Sequence, residues 1–386
     1  MNRKLRMGMV GGGRGSFIGA IHRKAALMDG QVEFVAGALS ADPENAKLSG
    51  EDLYLPTSRS YTSWQQMLEQ ERNLSSDERI DFVSIVTPNN LHYPVAKAFI
   101  EAGIAVVCDK PMTLTLDEAR SLVELVDKTG VIFALTHNYT GYPMVKQAKH
   151  MISQGDLGDL LKVVVEYPQG WLLESIEEEG QKQAVWRTNP SQSGIANCMG
   201  DIGTHCENLV HYVTGLSIEK LCADLTALGA RPLDNDGNVL LRLSGNIPGL
   251  LFASQFSSGE ENNLKIRVHG TKGSLEWAQE KPNDLWFKAN NQPSRLLTRG
   301  NSYLCEAAQR ATRLPTGHPE GFIEAFANVY MNVVDCIRAK EAGRQPTNLE
   351  LDFPTVKDGA RGMAFIESVV ASSQSDAKWY PFKSFD

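Results

Sequence analysis

Met9-Val10-Gly11-Gly12-Gly13-Arg14-Gly15-Ser16 is the stretch on which the reading of this sequence turns. The apolar run Arg6–Val10 leads into it and the amphipathic run Phe17–Met28 leads out, so the glycines sit where a strand turns into a helix. In such a turn the first glycine permits the tight bend and the second lets the backbone approach a pyrophosphate. A small third residue lets helix and strand pack closely. Gly11 and Gly13 occupy the first two positions and Ser16 the third, with Gly15 and Gly19 at neighbouring offsets. Amide groups at the helix start face an anion. Strand before and helix after favour a dinucleotide site over a flexible surface loop, with Gly11, Gly13, Arg14, Gly15, Ser16, Phe17 and Ile18 around the phosphates.

Working outward, short apolar runs alternate with amphipathic stretches, the grammar of parallel strands joined by crossover helices. The strands are predicted at Arg6–Val10, Val32–Leu39, Asp81–Val86, Ala105–Cys108 and Val131–Leu135. The helices are predicted at Phe17–Met28, Ser63–Gln70, Leu91–Ala102, Leu116–Lys128 and Tyr142–Gln154. After Gly158 strands follow one another directly: Leu160–Tyr167, Leu221–Leu228, Asn238–Leu243, Gly249–Phe256, Asn263–His269 and Gly273–Ala278. Asp236-Gly237 and Pro248-Gly249 read as turns between them. One helix, Thr204–Val213, interrupts this series, Gln292–His318 reads as a loop, and helices at Gly321–Ala342 and Phe353–Ser373 close the chain. The expected fold class is α/β: a doubly wound Rossmann domain over 1–155, then an α+β domain over 156–386 with a large open, mostly antiparallel sheet. The final helices are free to pack back on the first domain.

A chain of 386 residues exceeds one ordinary core and suits two domains. Its net charge of −8, with both signs interspersed, is a poor match to a phosphate backbone, so nucleic acid is not an expected partner. No stretch reaches the roughly 18 apolar residues of a membrane span. Met1-Asn2-Arg3-Lys4-Leu5-Arg6 runs directly into a strand without the apolar core of an export signal, so a cytoplasmic protein is expected. Cys108, Cys198, Cys206, Cys222, Cys305 and Cys336 contain no Cys-x-x-Cys pair, which argues for reduced, mostly buried thiols and against zinc or a disulfide framework. No His, Cys and carboxylate cluster has metal spacing, and no metal is expected.

Three later segments complete a pattern: Val86-Thr87-Pro88-Asn89-Asn90-Leu91-His92 after one Rossmann strand, Cys108-Asp109-Lys110-Pro111 after the next, and Gly200-Asp201-Ile202-Gly203-Thr204-His205 in the second domain. Their order and spacing resemble the Gfo/Idh/MocA family, named for glucose–fructose oxidoreductase and inositol dehydrogenase. The resemblance implies a Rossmann domain followed by an open sheet that forms homodimers or homotetramers. It also implies oxidation or reduction of a hydroxyl on a sugar, glycoside or cyclic polyol, and places His92 near the cofactor. Two departures stand out: Asp109 where the family motif usually has glutamate, and Thr140 after Tyr139 where many relatives carry arginine. Some relatives use bound NAD for a transient oxidation that cleaves a glycosidic bond, which gives a rival reading. A non-catalytic cofactor-binding protein is a third, and the presence of Lys110, Asp201 and His205 together argues against it.

Oxidising a secondary alcohol requires a base within hydrogen-bond reach of the hydroxyl. His205 is the candidate, four residues after Asp201, a spacing that puts both on one helix face. Asp201 would orient substrate hydroxyls or support the imidazolium. Lys110 lies at the carboxyl end of a parallel strand, where ligands bind doubly wound sheets, and Pro111 stiffens its turn. Its ammonium would favour alkoxide character at the reacting oxygen. Thr87, Pro88, Asn89, His92, Asp109 and Asn138 are placed in the cofactor shell; Tyr139 and the Trp186-Arg187 pair, in a loop, are placed around the substrate. The second strand ends near Ser40 where an acid would hold the ribose of NAD, with Asp42 two residues late, and Arg14 could meet a 2′-phosphate. The cofactor is therefore read as NAD or NADP, with NAD slightly favoured. His22 could face the dinucleotide from the first helix; His137 adjoins a buried strand, His211 carries no expected chemistry, and His318 reads mainly as a loop before a helix start that could reach the cleft.

Overall fold

The computed structural model describes residues 3–385, which divide into two compact units: one runs to His137 and includes Phe326–Ala360, the other comprises Asn138–Ala325 and the chain from Arg361. The first unit holds β1 (Leu5–Gly11), α1 (Phe17–Leu27), β2 (Val32–Ala38), α2 (Pro43–Asp52), α3 (Trp64–Asn73), β3 (Phe82–Val86), α4 (His92–Glu101), β4 (Ala105–Cys108), α5 (Leu116–Thr129) and β5 (Phe133–Leu135). The five strands form a parallel sheet in the order β2-β1-β3-β4-β5. Every residue of β3 and β4 is buried, as expected of strands covered on both faces. Helix α2 escapes the sequence reading because its segment is polar, with Ala46, Ser49 and Gly50 its only buried residues. It starts on the Asp42 cap, which accepts from the Asn45 amide, and on Pro43 at the first turn.

The glycine turn departs from expectation in one respect. Ser16 is the N-cap of α1 and accepts from the Gly19 amide, so it does not fill the close-packing role. That role belongs to Gly19, whose Cβ, if it had one, would collide with the Gly12 backbone. His22 is also corrected. It faces the core, its Nδ1 2.7 Å from the Tyr330 hydroxyl and 3.3 Å from the Ser84 Oγ, with no surface left for a dinucleotide.

In the second unit, α6 (Pro143–Ser153), β6 (Leu160–Pro168), α7 (Lys182–Arg187) and α8 (Pro190–Ser193) precede a π-helical turn, Met199–Gly203, that leads directly into α9 (Thr204–Thr214). Strands β7 (Ile218–Thr226), β8 (Asp236–Leu243), β9 (Ile247–Ser254), β10 (Lys265–Gly270), β11 (Gly273–Ala278), β12 (Asp284–Ala289) and β13 (Arg295–Thr298) follow, then α10 (Glu306–Arg310), α11 (Phe322–Glu341), α12 (Val356–Ser373) and the short β14 (Tyr380–Pro381). Nine strands make one sheet, β13-β12-β11-β10-β6-β9-β8-β7-β14, antiparallel except at β6–β9. Helix α11 gives its residues from Phe326 onward to the first unit.

Two expected turns are strand instead. Asp236 and Gly237 pair with Thr226 and Leu225, and Pro248 and Gly249 pair with Arg242 and Leu241. The reversal between β8 and β9 occurs at Gly245 and Asn246, both with positive φ, the backbone that hairpins require. Gly237 is small for a different reason: a Cβ there would lie 2.5 Å from the Met199 Cε, so the π-helical turn rests directly on the sheet. The expected loop Gln292–His318 contains β13 and α10, and Trp186-Arg187 ends the helix α7.

Helix α9 is fastened by the Arg361–Glu207 pair, Nε to Oε1 2.7 Å, with both side chains buried. Removing one partner from such a pair costs about 3–5 kcal/mol, because the other charge remains desolvated.

Candidate active site

In the first unit the predicted residues gather at the carboxyl edge of the parallel sheet. Gly11 of β1 pairs with Val86 of β3, and Ile85 pairs with Cys108 of β4, so the glycine turn, Thr87 and Asp109 leave the sheet side by side. His92 joins two of these exits. Its Nδ1 lies 2.7 Å from the Pro111 carbonyl and its Nε2 2.9 Å from the Thr87 carbonyl. Burial lowers the His92 pKa, so near neutral pH the ring carries one N–H and donates to one of these two carbonyls, tying His92 to the loops that leave β3 and β4. Asp109 accepts from the Lys110 amide (2.9 Å) and the Thr136 hydroxyl (2.7 Å). Burial pushes this carboxyl up, but His22, Lys110 and the Thr136 hydroxyl outweigh it and hold the Asp109 pKa below its ordinary value. The Lys110–Pro111 peptide is cis.

The residues present fit a dinucleotide. A Cβ on Gly13 would fall 2.5 Å from the Ser49 Oγ and 2.7 Å from the Leu39 carbonyl oxygen, so the turn tolerates only glycine where it meets β2 and α2. Among the described residues the Thr87 Oγ1 is buried without a hydrogen-bond partner, which suits a group awaiting a ligand. Ser40 follows β2, as expected, and Arg14 forks onto Asp52.

In the second unit Asp201 sits in the π-helical turn and His205 in the first turn of α9. The turn is fixed by Asp234, whose Oδ1 accepts from the Asn197 amide (2.8 Å) and whose Oδ2 accepts from the Met199 amide (2.7 Å). Burial pushes the Asp234 carboxyl up to about 6 against the pull of these amides. The Asp201 Oδ1 meets the Arg187 Nη1 at 2.5 Å and its Oδ2 accepts from the Gln255 Nε2 at 3.0 Å. The Gln255 Oε1 in turn accepts from the Asn197 Nδ2 at 2.9 Å, which fixes the amide's orientation. The Arg187 guanidinium also lies over the Trp186 ring, 4.6 Å from its centre.

His205 is buried edge-on against Tyr139, ring centres 4.7 Å apart. The Tyr139 hydroxyl bonds the Tyr167 hydroxyl, which donates to the Asn262 Oδ1 at 2.8 Å. Burial pushes the Tyr139 hydroxyl up to about 12, so near neutral pH it is a hydrogen-bonding phenol and not a base. The neighbouring Asn138 is buried, and among the described residues its Nδ2 has no partner.

Both units match known protein families. A model described as an oxidoreductase family with an NAD-binding Rossmann fold matches residues 5–137, and the Gfo/Idh/MocA C-terminal domain matches 145–276. An uncharacterized oxidoreductase of Bacillus subtilis is 33% identical, covering 99% of this chain and 98% of its own length. The chain belongs to the Gfo/Idh/MocA family. Among solved structures, an oxidoreductase from Sinorhizobium meliloti is 44% identical, covering 98% of this chain and 99% of that one, with a TM-score of 0.88. An inositol dehydrogenase homolog from Azotobacter vinelandii complexed with NAD+ is 34% identical, covering 99% and 98%, with a TM-score of 0.93. The same homolog has been solved with NADH and myo-inositol, at 33% identity, 99% and 98% coverage and a TM-score of 0.90. As a member of this Gfo/Idh/MocA family, the chain is an NAD(P)-dependent oxidoreductase.

Of the predicted residues, the second unit brings together Asp201 and Arg187, and His205 with Tyr139. Sequence reasoning missed Gln255, Asn197 and Asp234, which aim the Asp201 carboxylate. A lone glutamine after a strand carries no motif. The one available hint was Asp234 itself, an acid in a turn-like run before a strand. Among the described residues no helix is long and apolar enough to cross a membrane.

Proposed function

We propose that this chain transfers hydride between NAD(P) and a secondary hydroxyl of a sugar, glycoside or cyclic polyol. The observation that supports it most is the Asp201 carboxylate, with Oδ1 paired to Arg187 and Oδ2 accepting from Gln255, one helical turn before His205. A carboxylate oriented in this way accepts from the hydroxyls of a neutral polyol, and the relative solved with NADH and myo-inositol supports the same class. His205 accepts the proton of the reacting hydroxyl and Lys110 stabilises the developing alkoxide. Asp201 and Arg187 orient the ring through neighbouring hydroxyls, with Trp186 as an apolar wall. A bound nicotinamide supplies the hydride acceptor.

The experiment is a panel of inositols, aldoses and glycosides with NAD or NADP, followed by reduced-nicotinamide absorbance. At least one compound gives turnover, and His205→Ala abolishes it while NADH binding persists. Silence across the panel with NADH bound, or release of an aglycone without NADH, refutes the dehydrogenase reading.

The open face of the nine-stranded sheet supports a homodimer or homotetramer. Val164, Leu250 and Leu240 lie in register across β6, β9 and β8, and Trp286 lies opposite Leu296; Leu240, Trp286 and Leu296 are exposed. Light scattering is expected to give a multiple of the chain mass, reduced by Leu240→Asp.

A further inference from the structure

The choice between NAD and NADP rests on the adenosine ribose, which a dinucleotide-binding turn presents to the end of its second strand. An acid there holds the free 2′-hydroxyl, and an arginine nearby takes a 2′-phosphate. In this chain the end of β2 carries no available acid. Ser40 stands at the position, its Oγ accepting from the Asp42 amide (3.1 Å) and the Asn45 Nδ2 (3.2 Å). The Asp42 Oδ1 is occupied as the cap of α2, 2.6 Å from the Asn45 amide.

The cation is Arg14, and its backbone is pinned to this corner. Gly13 donates its amide to the Leu39 carbonyl (3.0 Å), and the Arg14 amide donates to the Ser49 Oγ on α2 (3.0 Å). The guanidinium then forks onto Asp52, Nε to Oδ2 at 2.5 Å and Nη2 to Oδ1 at 2.7 Å. Asp52 is the last residue of α2, the end at which the helix dipole disfavours a carboxylate. Its placement there makes sense through Arg14, and Glu51 adds further negative charge around the same guanidinium.

We infer that Asp52 sets the dinucleotide preference: by occupying the Arg14 fork it denies that fork to a 2′-phosphate and leaves the enzyme selective for NAD(H). A 2′-phosphate needs the same bidentate donors and has to displace a carboxylate that also repels it. A 2′-hydroxyl makes no such demand. The pair is half-exposed, so the discrimination is a matter of tenfold and not of thousands. The inference rests on dinucleotide binding at the glycine turn and is independent of the substrate proposed above.

The test is binding, with NADH and NADPH titrated calorimetrically into wild type, Asp52→Asn and Asp52→Asn/Arg14→Gln. Wild type is expected to bind NADH the more tightly. Asp52→Asn tightens NADPH about tenfold, the scale of a charge-assisted pair, while NADH stays within about twofold. Adding Arg14→Gln removes the gain. Unchanged NADPH affinity in Asp52→Asn, a gain that survives Arg14→Gln, or tighter NADPH in wild type each overturn the inference. Retained NADH affinity shows that Asp52→Asn is folded; wild type that binds neither nucleotide overturns the dinucleotide reading as well.

Discussion

Replacing His22 by phenylalanine should reverse its effect on stability between pH 7.5 and pH 5. His22 is buried on α1, and burial pushes its pKa down to about 4; Arg23 and His92 add to the shift and Asp109 opposes it. In the unfolded chain the imidazole titrates near its ordinary value of about 6.5. Between these values the unfolded state binds a proton that the folded state refuses, so stability is complete above about 6.5 and falls as the pH drops. The loss from this one group is about 2 kcal/mol at pH 5 and about 3 kcal/mol below pH 4. Phenylalanine keeps the ring that packs on Phe326 at 5.0 Å and leaves the Tyr330 hydroxyl bonded to Ser84 at 2.8 Å. Near pH 7.5 the variant should lose the His22 Nδ1 contacts with the Tyr330 hydroxyl and the Ser84 Oγ, about 1 kcal/mol. Near pH 5 it should be the more stable protein by about 1 kcal/mol, since it has no proton to exclude. Hydrogen exchange of the α1 and β3 amides, read at both pH values, isolates the unit concerned. A difference between variant and wild type that is the same at both pH values would falsify the reasoning.

The remaining predictions concern the second unit's network and the thiols. Gln255→Leu removes the donor to the Asp201 Oδ2 and strands the Asn197 Nδ2, so kcat/KM should fall about tenfold or more with NADH affinity unchanged. Steady-state kinetics beside an NADH titration decide this, and undiminished kcat/KM would remove Gln255 from the site. Cys108, Cys198 and Cys206 are buried, with pKa values pushed up by that burial, and Cys336 is buried, whereas Cys222 and Cys305 are half-buried. An aromatic disulfide reagent should therefore label the folded protein at Cys222 and Cys305 alone, and all six cysteines after unfolding. Peptide mapping reads the sites, and rapid native labelling at Cys198 or Cys206 would contradict this burial.

Local signals were legible wherever the deciding contacts lie close along the chain. The parallel strands announced themselves as apolar runs because both of their faces are covered, and β4 begins and ends where its apolar run does. Helix α2 was illegible because its polar sequence buries little, and its start depends on a cap and a proline. Gly237 and Gly249 misled for the opposite reason. Glycine marks a turn by default, but at Gly237 it makes room for Met199, a residue remote in sequence. Trp186 and Arg187 were legible as residue types, though not as the end of a helix that delivers the guanidinium to Asp201.

By itself the sequence determined the dinucleotide turn and the change from α/β to sheet-rich grammar, and it pointed to Lys110, Asp201 and His205 as candidates. The glycine turn and the Asp201–His205 spacing are local patterns, each written within a few residues. Tertiary structure alone decided that Gly19 and not Ser16 packs against the strand, that His22 faces the core, and that the His92 ring lies between the Thr87 and Pro111 carbonyls. It alone joined Arg187, Asp201 and Gln255, and Arg14 with Asp52. Each of those pairings closes a loop of at least ten residues, and which partner a polar side chain meets across such a loop is set by the packing of the backbone between them, not by any local periodicity.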